Sequence, residues 1–172
     1  RIAAGSKKLS WLLRHGAHEE GLKMDAAGWA PVRDVLALTK LGEDDLRQIV
    51  SENNKSRYQL DGKRVRASQG HSLSGTPVTQ EALEASWETL DLGEQWVFHG
   101  TRADEDVLRS IGAAGLLPGE RTHVHLADSP GSGVGKRANV GVLLEVSASA
   151  LQRAGIGIFR SPHGAVLAPT VP

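Results

Sequence analysis

The chain contains no cysteine, and a single methionine, a single tyrosine and two phenylalanines leave it poor in soft and aromatic side chains. Without thiols there is no disulfide, no thiolate metal centre and no cysteine nucleophile, so its chemistry rests on oxygen, imidazole and guanidinium groups. Long apolar runs are missing too. None approaches the roughly 20 residues that span a bilayer, and the first residues lack a leader pattern, so the cytoplasm is the expected compartment and no membrane partner is expected. Net charge is also absent, 20 Lys and Arg balancing 20 Asp and Glu over 172 residues. The balance is uneven along the chain. Residues 1–72 carry 13 basic against 9 acidic side chains and residues 73–172 carry 7 against 11, which fits a first half that meets a polyanion such as RNA or DNA.

What is present has helical spacing first. Leu9, Leu12 and Leu13 after Ser6 predict a helix over 6–15, capped by Ser6 and stopped by Gly16. Pro31 opens a second short helix with Val32, Val35 and Leu36, and a third carries Leu46, Ile49 and Val50 and closes near Asn53 and Asn54. The period then changes to two: 57–60, the turn Asp61-Gly62 and 63–66 read as a β-hairpin of type I′. Three short helices followed by a basic hairpin is the layout of a winged helix. The expected lobe spans 1–72, followed by a linker over 73–94 with a helix from Gln80 to Glu88 and a second lobe over 95–172. That lobe is expected to be α+β, with strands at 96–98, 124–126, 140–146, 156–159 and 165–167 and helices at 104–111 and 148–154.

Within this frame four groups of residues carry chemistry. The stretch from Arg64 through Arg66, Gln69, Gly70 and His71 to Ser72 puts two guanidinium groups on one face of a strand and lets backbone N–H groups approach an anion; the alternative is a solvated edge strand. Arg14 and His15 sit at a helix end, where cations gain from the macrodipole or hold a phosphate. His123 and His125 share a strand face, but no third ligand at familiar spacing accompanies them, so no metal is expected. They line a cleft, or one touches a ligand while the other is in the core. The loop Ser129–Gly135 followed by Lys136 and Arg137 is a phosphate cradle or a flexible surface loop, and it is not a P-loop. No Ser-His-Asp order or nucleophile elbow emerges, which disfavours an ordinary hydrolase.

Together, Leu9–His15, Arg66–Ser72, His99-Gly100-Thr101, His123–Leu126 and Val134–Arg137 resemble, in order and spacing, the NAD-dependent tRNA 2′-phosphotransferase (RNA 2′-phosphotransferase) family. The resemblance runs from Ser6 to Leu167. It implies a winged-helix-like RNA lobe joined to an ADP-ribosyltransferase-like lobe, with a catalytic set of Arg14, His15, Arg66 and Arg137. It also implies that NAD is consumed as co-substrate, contacted by His99, Gly100, Thr101 and Ser129, and that the partner is RNA carrying an internal 2′-phosphate. A monomer is expected. Residues 158–165 depart from the family pattern, with His163 where an Asn is expected. Two alternatives stay open: an ADP-ribosyltransferase acting on nucleic-acid phosphate ends, and a non-enzymatic winged-helix nucleic-acid-binding protein. On either enzymatic reading Arg66 faces the phosphate, and Arg64 steers RNA or is a surface charge.

Overall fold

The computed structural model describes residues 2–52, 56–131 and 141–172. They form an α+β protein of two units: residues up to Ser86 together with Glu120–Thr122, and Trp87–Gly119 together with His123–Pro172.

In the first unit α1 (Ile2–Trp11), a π-helical segment (Leu12–Gly16) and α2 (Ala17–Glu20) follow one another without a break. The helix therefore starts earlier and ends later than expected. Ser6 lies inside it, and Gly16 is present because a Cβ there would fall 2.5 Å from the Trp11 ring. Gly21, at φ 67°, makes the stop: its N–H donates to His18 C=O, and Leu22 N–H to Ala17 C=O at 2.8 Å, in a Schellman arrangement. Leu9, Leu12 and Leu13 are fully buried with Val35 of α3 (Val32–Thr39), Leu46 of α4 (Glu43–Glu52) and Val65. The expected close of α4 at Asn53 and Asn54 falls outside the described residues.

The hairpin consists of β2 (Tyr58–Asp61) and β3 (Arg64–Ala67), with Asp61 opposite Arg64. Its turn is thus Gly62-Lys63, one residue later than expected. Gly62 takes φ 59° at the first central position and Lys63 does not follow it into positive φ, which is the type II′ pattern. On its other side β3 pairs with β1 (Ala30–Pro31), giving the order β1-β3-β2. The strand bearing Arg64 and Arg66 is therefore central, and the solvated-edge reading fails. Beyond α5 (Gln80–Ser86), residues 120–122 return to this unit: Leu73 N–H donates to Glu120 C=O (2.9 Å) and Gln80 Nε2 to Thr122 C=O (2.7 Å).

The second unit has two antiparallel sheets. β4 (Glu88–Thr89), β6 (Val124–Leu126), β8 (Phe159–Arg160) and β9 (Val166–Ala168) lie in the order β4-β8-β9-β6, while β5 (Trp96–Thr101) and β7 (Val142–Ser147) form a separate ribbon. One reciprocal pair of bonds joins them, Phe98 N–H to Ala127 C=O (2.8 Å) and Ala127 N–H to Phe98 C=O (2.7 Å). Helix α6 (Glu105–Ala114) is capped by Asp104 Oδ1, which accepts from Asp106 and Val107 N–H. Helix α7 (Ala148–Arg153) is capped by Ser147. Val97, Leu126, Leu151, Ile158 and Val166 anchor the core.

Candidate functional site

Arg14 lies on the π-helical segment, and the reason for that segment is visible in the hydrogen bonds. An α-helix would pair His18 N–H with Arg14 C=O. Here His18 N–H donates to Gly75 C=O (3.0 Å), and Arg14 C=O accepts from Ser72 N–H (2.8 Å). The 72–75 loop is spliced into the helix ladder, and the widened turn accommodates it. Gly75 is required at this contact, since a Cβ there would lie 1.9 Å from the His15 carbonyl oxygen. The splice turns the Arg14 side chain along the incoming strand: Nε donates to Gln69 C=O (3.0 Å) and Nη1 to Ser10 Oγ (2.7 Å), with the guanidinium 5.7 Å from the Tyr58 ring.

Arg66 is 2% exposed. Its Nε donates to Gln59 Oε1 (2.7 Å) and its Nη1 to Ala27 C=O (3.1 Å) and Ser86 Oγ (2.8 Å), and it stacks 4.8 Å from Trp29. Burial pulls both guanidinium pKa values below their ordinary value, yet both groups remain cations at neutral pH. Among the described residues neither forms a salt bridge. Arg64 differs: it pairs with Asp61 at 2.9 Å and is half exposed.

His71 closes this cluster. It is fully buried, both ring nitrogens lack a hydrogen-bond partner among the described residues, and its Nε2 lies where a Cβ on Gly28 would sit 2.8 Å away. Burial first, then the charges of Arg14, Arg66 and His15, push its pKa down to about 3, so it is neutral at pH 7. His15 is exposed, and desolvation followed by Arg14 and Arg121 lowers its pKa against an opposing contribution from Glu120. The first unit therefore brings together Arg14, His15, Arg66 and His71. Arg137, expected with them, lies outside the described residues, as do 132–136 of its Gly-rich loop. His71 was visible in the sequence only as part of a basic stretch, and Trp29 carried no signal beyond its position after a glycine.

In the second unit His99, Gly100 and Thr101 form the end of β5. The alternation of an antiparallel pair turns Gly100 N–H and C=O to the edge that Phe98 uses, away from β7. Past Phe98 that edge no longer follows β6. His125 C=O accepts instead from His99 Nδ1–H (2.9 Å), which fixes the tautomer and leaves Nε2 as an acceptor. Gly100 and Thr101 are buried, and Ser129 is exposed on the turn after β6. His123 and His125 separate in role: His123 is buried edge-on between Trp87 (4.9 Å) and Phe159 (6.4 Å), while the His125 backbone orients His99. No group of metal-ligating side chains occurs among the described residues.

The class is an α+β protein in which half-buried Arg14 and buried Arg66 form no salt bridge among the described residues, and the comparisons with known proteins specify it. Residues 1–170 match the model of the RNA 2′-phosphotransferase, Tpt1 / KptA family. The chain is 39% identical to a probable RNA 2′-phosphotransferase of Burkholderia lata over 97% of this chain and 86% of that protein. It is 35% identical to one of Pseudomonas syringae pv. tomato (97% and 89%) and 32% identical to the tRNA 2′-phosphotransferase of Saccharomyces cerevisiae (97% and 78%). The chain belongs to the RNA 2′-phosphotransferase family.

Proposed function

We propose that the protein removes an internal 2′-phosphate from RNA by transferring it to NAD. The observation that carries this reading is the pair of guanidinium groups, half-buried Arg14 and buried Arg66, whose hydrogen bonds go to neutral acceptors and which form no salt bridge among the described residues. A phosphate monoester supplies the missing charge, and such a nucleophile needs positioning more than deprotonation. On this reading the first unit is a winged-helix-like RNA lobe and the second an ADP-ribosyltransferase-like lobe. The donor set at the end of β5 suits NAD: His99 Nε2 accepts from ribose hydroxyls, Gly100 offers an N–H and a C=O to a carboxamide, and Thr101 and Ser129 add hydroxyls.

In the first step a 2′-phosphate oxygen bonds to C1″ of the nicotinamide ribose while the C–N bond breaks, and nicotinamide leaves with the electron pair. The product is RNA 2′-phospho-ADP-ribose. In the second, the ribose 2″-OH attacks phosphorus, the bond to the RNA 2′-oxygen breaks, and that oxygen takes a proton. RNA with a free 2′-OH and ADP-ribose 1″,2″-cyclic phosphate result. His15 moves the proton, while Arg14, Arg66 and Arg137 stabilise charge growing on the phosphoryl oxygens. Incubating the protein with an oligoribonucleotide bearing one internal 2′-phosphate, with and without NAD, and weighing the products by mass spectrometry tests this. Inorganic phosphate as product, or phosphate loss without NAD, would refute it. Arg66→Ala should accumulate the RNA 2′-phospho-ADP-ribose intermediate, because negative charge grows on the phosphoryl oxygens in the second step.

A further inference from the structure

We propose that Trp29, Arg64 and Lys63 form a stacking subsite for a base of single-stranded RNA next to the phosphate held by Arg66. The proposal rests on the RNA reading above and adds to it a position on the protein that contacts a base. Trp29 is presented rigidly. Asp25 Oδ1 accepts from the N–H groups of Ala27 (3.0 Å) and Trp29 (2.9 Å), Asp25 N–H donates to Trp29 C=O (2.9 Å), and Gly28 N–H donates to Asp25 C=O (3.1 Å). Both hairpin arginines lie against the indole, Arg66 at 4.8 Å and Arg64 at 4.2 Å from its ring centre. Arg66 is locked by three hydrogen bonds, whereas among the described residues the hydrogen bonds of Arg64 go to Asp61 at the turn.

Beside the ring is an open groove of about 340 Å³ lined by Trp29, Pro31, Lys63, Arg64, Asp25 and Asp61. Its size falls within the range of about 300–1,000 Å³ for small-ligand pockets. Its chemistry is mixed. Two cations face two carboxylates, which argues against a bare polyphosphate and for a planar group whose edge both donates and accepts. The outer face of the Arg64 guanidinium, itself laid over the indole at 4.2 Å, supplies the plane for stacking, Lys63 supplies a phosphate contact, and the carboxylates accept from a base amine. Since Arg66 touches the same ring, a base in this groove belongs to a nucleotide close to the one carrying the 2′-phosphate.

The test compares two substrates in the presence of NAD: an oligoribonucleotide with one internal 2′-phosphate, and a nucleoside 2′-phosphate without neighbours. Base stacking on an aromatic is worth about fivefold to about a hundredfold by alanine substitution. Trp29→Ala is expected to raise KM for the oligonucleotide by a factor in that range relative to its effect on the nucleoside 2′-phosphate, with Trp29→Phe restoring most of the loss. An oligonucleotide made abasic beside the phosphorylated nucleotide should erase the difference between Trp29→Ala and wild type. Because Trp29→Ala also removes a neighbour of Arg66, Arg64→Ala serves as the second variant, and it should penalise the oligonucleotide over the nucleoside 2′-phosphate in the same sense. Equal losses on both substrates, or an abasic substrate handled by wild type as well as the complete one, would overturn the subsite. If wild type turns over neither substrate, the activity reading fails, and the subsite is read by binding instead. Fluorescence quenching present in wild type but not Trp29→Phe should then follow an unphosphorylated oligoribonucleotide and not its abasic counterpart. Equal quenching by inorganic polyphosphate would overturn it.

Discussion

His71 combines complete burial with two ring nitrogens that lack hydrogen-bond partners among the described residues, and this has a consequence for acid stability. An imidazole in the unfolded chain titrates near 6.5, whereas burial and the neighbouring cations push this one down to about 3. Between those values the unfolded state carries a proton that the folded state refuses. Stability is fully present above pH 6.5 and falls as pH drops toward 3, by at most about 1.4 kcal/mol per pH unit. His71→Met, of similar volume, removes that dependence, so its urea midpoints from pH 7 to pH 4 should decline less steeply. Equal slopes would contradict a buried neutral ring. At pH 7 the variant should be no less stable, since two unpartnered polar atoms are gone. For His15, desolvation and then Arg14 and Arg121 place the pKa below 6.5. The acid limb of the kcat/KM profile is accordingly expected below pH 6.5, and it should vanish from the residual turnover of His15→Asn. Arg14 and Arg66 were reached in the sequence through the family resemblance: strand alternation marks Arg64 and Arg66 alike, and the helix end expected at Arg14 lies inside a helix that runs on to Glu20. The contacts of His71 with Gly28 and of Arg66 with Trp29 join residues distant in sequence, and no local pattern encodes them.

At the scale of elements, two glycines on helical or loop backbone should respond in opposite ways to alanine. A Cβ on Gly75 meets the His15 carbonyl at 1.9 Å, so Gly75→Ala forces the loop off the π-helical segment. A loss of about 1–3 kcal/mol is expected, together with slower turnover because Arg14 takes its direction from that splice. Gly112 in α6 has open space around its Cβ position, and Gly112→Ala should stabilise by roughly 0.5–1 kcal/mol. Thermal unfolding of the two variants checks both. The same contrast explains which element boundaries the sequence disclosed. Helix α3 starts, and helices α5, α6 and α7 start and stop, near where caps and apolar spacing put them, because those signals are local. The first helix ran past Gly16 because a packing contact with Trp11, rather than backbone freedom, accounts for that glycine. The hairpin turn moved by one residue because the pairing of β3 with β1 and β2 together fixes the register, and β1 is too short to be read from alternation.

At the scale of the molecule, the first unit is not a continuous stretch of chain. Glu120–Thr122 accept bonds from Leu73 and Gln80 after the chain has built α6. A fragment ending at Ser86 lacks both acceptors, so hydrogen exchange at the Leu73 amide should be fast in the fragment and protected in the whole protein. Protection in the fragment would show that the return segment is dispensable. A chain that leaves one unit, builds part of a second and comes back for three residues cannot be divided by one cut. Hybrids between relatives made with a single junction after Ser86 will therefore pair Leu73 with a foreign Glu120, and only exchanges with junctions on both sides of 120–122 transplant either half with its own parts.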